Sequence, residues 1–77
     1  MPVHVRFFAS LREAIGRDEL TLDLPATARV ADVWTAATGQ TAVPAGVLCA
    51  INRDYATPSA TVQPGDEVAF FPPVTGG

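Results

Sequence analysis

Few groups in this 77-residue chain could take part in chemistry, and they are thinly spread. His4 has no second histidine, cysteine or suitably spaced carboxylate beside it, so it does not read as a metal ligand or general base. Cys49 falls inside the apolar run Val47-Leu48-Cys49-Ala50-Ile51, where a thiol is usually an inert core residue and its thiolate is disfavoured. The Asp18-Glu19 and Asp66-Glu67 pairs flank expected strands, and solvated turns explain them. No G-x-G-x-x-G or Walker spacing is present, so the chain is not expected to bind ATP unaided, nor any other cofactor or metal. What remains is the carboxylate of Gly77, at the end of Phe70-Phe71-Pro72-Pro73-Val74-Thr75-Gly76-Gly77.

The order of parts in that stretch suggests a use for the carboxylate. A strand-like aromatic end runs into two prolines, whose fixed φ favours an extended course, so residues 72–77 are expected to project as a tail. Gly76 and Gly77 carry no side chains, which leaves a tip thin enough for a narrow channel in another protein. A terminal carboxylate, with a reference pKa of about 3.3–3.7, is ionised at neutral pH and is a poor acyl donor. It becomes useful when its oxygen attacks the α-phosphate of ATP on another enzyme, giving an acyl adenylate from which AMP can leave. Sulfide can displace AMP and leave a terminal thiocarboxylate; a lysine amine can displace it and leave a protein conjugate. Both routes need the same tail. The tail alone does not choose between them.

Composition narrows the setting. The length suits one small domain, and 48% apolar residues suffice for a packed core. No apolar run approaches the roughly 18 residues of a membrane span, and no secretory signal is visible. A lone cysteine cannot form an internal disulfide, which fits a reducing compartment, and the expected location is the cytoplasm. The formal net charge is −3, with five arginines and no lysine, a poor balance for nucleic-acid binding. A protein partner with a positive groove is expected instead. Without lysine, the chain cannot accept a carboxylate of its own kind through a side-chain amine.

The elements that must position the tail follow from periodicity. Val3, Val5 and Phe7 alternate with His4, Arg6 and Phe8, predicting a first strand with one buried face. Ser10 and Glu13 have capping-box spacing, which predicts a short helix over Leu11–Ile15 ended by Gly16. Leu20, Leu22 and Leu24 mark a second strand. Val30, Val33, Trp34 and Ala37 fall on one face of a helix that ends at Gly39, with Trp34 as its core anchor. Arg29 stands where a capping Ser or Thr is preferred, so that helix start is weakly specified. Val47–Ile51 reads as an interior strand covered on both sides or nearly so. Asn52-Arg53-Asp54 is turn chemistry before a short strand at Tyr55-Ala56, and Glu67–Phe71 is the last strand, with Val68 and Phe70 inward. The sum is an α+β fold of two layers, although pattern does not give the strand order.

Two stretches carry a family likeness. Val5-Arg6-Phe7-Phe8-Ala9-Ser10-Leu11-Arg12-Glu13 and Gly65-Asp66-Glu67-Val68-Ala69-Phe70-Phe71-Pro72-Pro73-Val74-Thr75-Gly76-Gly77 resemble the small, sulfur-carrying subunits of molybdopterin synthase. Val30-Ala31-Asp32-Val33-Trp34 and Ala50-Ile51-Asn52 fit the same pattern, so the likeness spans essentially the whole chain. It implies a ubiquitin-like β-grasp, a mixed sheet of about five strands with one main helix on one face, over residues 1–77. The first and last strands would be parallel neighbours at the sheet centre. It implies that an E1-like enzyme adenylates Gly77 with ATP, and that a sulfur donor system then loads it as a thiocarboxylate. The large synthase subunit would receive Thr75, Gly76 and Gly77 in its active site, where sulfur passes to cyclic pyranopterin monophosphate.

The chain would thus be a non-catalytic subunit of a heterotetramer, two carriers on a large-subunit dimer. Phe71 would be an interface aromatic, as its outward alternation also suggests. Tyr55 stands where the family commonly has an aliphatic contact residue. Arg12 and Arg53 are candidate polar contacts beside the simpler reading of solvated arginines. Related carriers for thiamine, cysteine or tRNA thiolation share the fold and tail, as do ubiquitin-like protein modifiers.

Overall fold

Val3, Val5 and Phe7 are buried while His4 and Arg6 are exposed, as the alternation predicts for the first strand, β1 (Val3–Phe7). The computed structural model describes residues 2–73, so the expectations placed on 74–77 lie outside the described residues. After β1 come α1 (Ala9–Ile15), β2 (Glu19–Leu22), α2 (Val30–Thr38), β3 (Leu48–Ile51), β4 (Asp54–Ala56) and β5 (Glu67–Phe71). The strands form one sheet in the order β2-β1-β5-β3-β4. Only β1 and β5 pair in parallel, with Val5 opposite Val68 and Phe7 opposite Phe70. That parallel pair needs the long crossover that α2 lies in. The β-grasp expectation holds, including its central pair.

The core forms where α2 meets the inner face of the sheet. Val30, Val33 and Trp34 are buried there against Val3, Val5, Phe7, Val68 and Phe70. A fully buried Val contributes roughly 1.5–3 kcal/mol relative to an exposed one, so this apolar stripe outweighs any cap in holding the helix. The indole of Trp34 lies 4.9 Å from the Phe70 ring and 6.2 Å from the Phe7 ring, both edge-on, the arrangement aromatic quadrupoles favour. Leu11 and Ile15 of α1 pack against the same cluster. Among the described residues no helix covers the opposite face of the sheet.

The two helix starts depart from pattern for different reasons. The helix α1 begins at Ala9 with Phe8 as its N-cap, and no side chain caps it. The Phe8 amide donates to the Phe70 carbonyl at 3.1 Å, so β1 holds Phe8 and the chain must turn at once. Ser10 therefore falls inside the first turn, and the predicted Ser10–Glu13 box does not form. Ala9 takes φ 54° to make that turn, a left-handed conformation that an L-residue adopts at some strain. Gly16 ends the helix at φ 87°, its amide donating to Arg12, as expected.

The start of α2 is secured by tertiary contact. The amides of Val30 and Ala31 donate to the carbonyls of Ala60 (3.0 Å) and Pro58 (2.9 Å), from the segment that leads into β5. The Asp32 carboxylate accepts from the Arg29 amide at 2.8 Å. A guanidinium has no acceptor, so Arg29 cannot return the bond, and backbone carbonyls take the place of a capping side chain.

Candidate functional site

Because side chains alternate along a strand, burying Val68 and Phe70 obliges Glu67, Ala69 and Phe71 to face the open side of β5. Pairing then decides their company. Ala69 lies opposite Arg6 of β1 on one side and opposite Ala50 of β3 on the other. Ala50 in turn pairs with Tyr55 of β4. The result is a groove of about 300 Å³ across four strands, floored by two alanines. Arg6 and Phe8 wall it on the β1 side, Tyr55 and Arg53 on the β4 side. Phe71 stands at the end where the chain leaves for Pro72, and Glu67 at the other.

The walls are internally braced. The Arg6 guanidinium sits 5.2 Å from the centroid of the Phe8 ring, a cation–π contact. The Tyr55 and Phe71 rings lie 5.8 Å apart. Tyr55 is 77% exposed and Phe8 40%, the two large apolar side chains most open to solvent among the described residues. Aromatic rings and arginines at an exposed, largely apolar patch are the composition of a protein-binding surface.

The β3–β4 turn that carries Arg53 is anchored to β5. Asn52 and Arg53 both have positive φ, 49° and 72°, the pattern of a two-residue type I′ hairpin loop. Asn52 exchanges bonds with Glu67: its amide donates to the Glu67 carbonyl at 2.8 Å, and its Oδ1 accepts from the Glu67 amide at 3.0 Å. Its Nδ2 also donates to Asp66 Oδ1 at 2.9 Å, while Asp66 Oδ2 accepts from the Gln63 amide at 2.8 Å. The Asp66 carboxylate therefore has a structural task beyond a solvated turn, and Glu67 takes part through its backbone.

Phe71, Tyr55 and Arg53 meet in one groove. Arg12 stands exposed on α1 and does not line it. Arg6 and Phe8 were not singled out by the pattern, although their outward alternation was visible; what placed them at a site is the β1–β5 pairing. In the run at 47–51 Cys49 faces the core with Phe70, while Ala50 faces the groove and is only 7% exposed, so the centre of the strand is nearly covered on both sides, as expected. A partner with a positive groove, expected from net charge, does not suit this face, whose lining holds two arginines and one glutamate. Burial pushes the Cys49 thiol up from its ordinary value, and its Sγ lies 3.3 Å from the Ala56 carbonyl, consistent with an inert thiol. Among the described residues no cluster could hold a metal ion, and no helix is long and apolar enough to cross a membrane. Thr75, Gly76 and Gly77 lie outside the described residues.

Comparisons with known proteins agree with this architecture. The ThiS family matches residues 5–77. The chain is 44% identical to the molybdopterin synthase sulfur carrier subunit of Haemophilus influenzae, over 97% of the chain and 99% of that protein. It is 37% identical to the corresponding subunit of Escherichia coli, with the same coverage. Among solved structures, SAMP1 from Haloferax volcanii superposes with a TM-score of 0.81 at 25% identity, over the whole of both chains.

Proposed function

The chain belongs to the ThiS family, and from that premise we propose that it is the sulfur-carrier subunit of a molybdopterin synthase, carrying sulfur as a thiocarboxylate on Gly77. The observation that carries the reading is its similarity, over almost the full length of both chains, to curated carrier subunits of that enzyme. The open groove supports it, since a carrier without its own reactive centre must dock before it can deliver.

In this reading an E1-like enzyme binds the chain and ATP, the Gly77 carboxylate attacks the α-phosphate, and pyrophosphate leaves. Sulfide equivalents from a donor system then displace AMP. The chain next docks on the large synthase subunit, with Thr75 and Gly76 threading Gly77 into its active site. Sulfur passes there to cyclic pyranopterin monophosphate, and two such transfers complete the dithiolene. ATP belongs to the activating enzyme, and the reducing cytoplasm is the setting. The test is the intact mass after incubation with the activating enzyme, ATP and a sulfur donor. One oxygen is exchanged for sulfur; an unchanged mass under conditions that load a known carrier refutes the proposal.

Docking gives a second measurable outcome. Phe71 ends the groove nearest the tail, so Phe71→Ala weakens binding to the large subunit by about 1–3 kcal/mol. An unaltered dissociation constant removes Phe71 from the interface. The likeness to SAMP1, a small archaeal modifier protein, favours a second reading in which the tail is joined to lysines of other proteins. Covalent ladders that survive a denaturing gel would support it, and having no lysine the chain would form no side-chain-linked polymers of itself.

A further inference from the structure

The turn residue Arg53 is held at φ 72°, at the second position of a type I′ loop where glycine is the usual occupant. Asn52 at the first position suits its left-handed conformation and is fully tied to β5. Arg53 has no such fit. A side chain kept in a conformation that strains it points to a task that glycine could not perform. Its surroundings indicate the task. Arg53 lines the open groove from the β3–β4 turn and Arg6 lines it from β1. Ala50 and Ala69 floor the groove and Glu67 stands at the end nearer the turn, so the floor has room for a large side chain. The chain as a whole carries −3, yet two of its five arginines and one carboxylate, Glu67, line this groove.

We infer that the groove receives a partner segment presenting one bulky apolar side chain between carboxylates. The side chain settles over Ala50 and Ala69, and the carboxylates meet Arg6 and Arg53. Arg53 is therefore a specificity residue whose charge is retained against the preference of its own turn. This rests on the reading above, in which the partner is the large synthase subunit.

The test titrates the large subunit of the same organism, purified without its carrier, with the parent chain and four variants. Arg53→Gly and Arg53→Asn remove the charge while suiting the turn, and Arg6→Gln removes a charge without touching it. Each weakens association about tenfold at low salt. The difference closes at 1 M salt, where the Debye length is about 3 Å. Arg53→Gly also unfolds at higher urea than the parent, so its loss of binding is not damage. Ala69→Leu fills the floor and weakens association at both salt concentrations. A parent chain that fails to bind refutes the functional reading itself. If the parent binds, equal affinity in the charge variants, a charge effect that persists at high salt, or full affinity in Ala69→Leu overturns this inference alone.

Discussion

A chain extended by one residue beyond Gly77 folds as the parent does and transfers no sulfur. In the proposed cycle the reacting atoms are the carboxyl carbon and oxygens of Gly77, and an added residue converts that carboxylate into an amide. An amide oxygen does not attack the α-phosphate to give an acyl adenylate, so no AMP leaving group is created and sulfur has nothing to displace. The new terminal carboxylate sits one residue too far along and carries a side chain unless it too is glycine. The folded body is unaffected, because the core is built from residues 3–70 and the sheet closes with β5 at Phe71. Two measurements together check this. The urea midpoint stays at the parent value, and molybdopterin formation falls to background. Normal synthase activity in the extended chain would sink the mechanism, whereas a lowered midpoint would show that the added residue disturbs the fold.

The second large effect is on stability. Trp34→Ala is expected to remove about 3–5 kcal/mol, the range for deleting a large buried aromatic. Trp34 is 1% exposed and in edge contact with both Phe7 and Phe70, so its loss opens a void between α2 and the central parallel pair. A domain of this size holds roughly 4–12 kcal/mol in all, at about 0.05–0.15 kcal/mol per residue. The variant is therefore largely unfolded at the lower end of that range. Trp34→Phe separates volume from polarity. The buried indole Nε1–H has no hydrogen-bond partner among the described residues, a burden of about 1–3 kcal/mol that phenylalanine does not carry. Phenylalanine thus recovers much of the loss, seen as a urea midpoint well above that of alanine. Equal midpoints for the two variants would contradict this account of the core.

What was legible in the sequence was whatever follows from the period of a single element. Alternation at 3–7 and 67–71 assigned the inward and outward faces of β1 and β5, because successive side chains on a strand must point to opposite sides. The spacing of Val30, Val33 and Trp34 located α2, and Gly16 and Gly39 ended the helices where only glycine takes a left-handed turn without strain. The thin Gly-Gly tip and its carboxylate were legible as composition, and so was the lack of any lysine.

Tertiary structure decided which strands are neighbours. Backbone hydrogen bonds are the same for every residue type, so nothing local to β1 names β5 as its parallel partner or puts Ala50 beside Ala69. The groove depends on those choices. Arg6 and Phe8 join Phe71, Tyr55 and Arg53 only because four strands lie in the order β1-β5-β3-β4, and Arg12 is left out because α1 turns toward the core. The start of α2 was settled in the same way, by carbonyls from residues 58 and 60 that no capping rule could point to. A side chain's direction is set by its own few dihedrals, whereas its company is set by contacts between segments far apart in the chain.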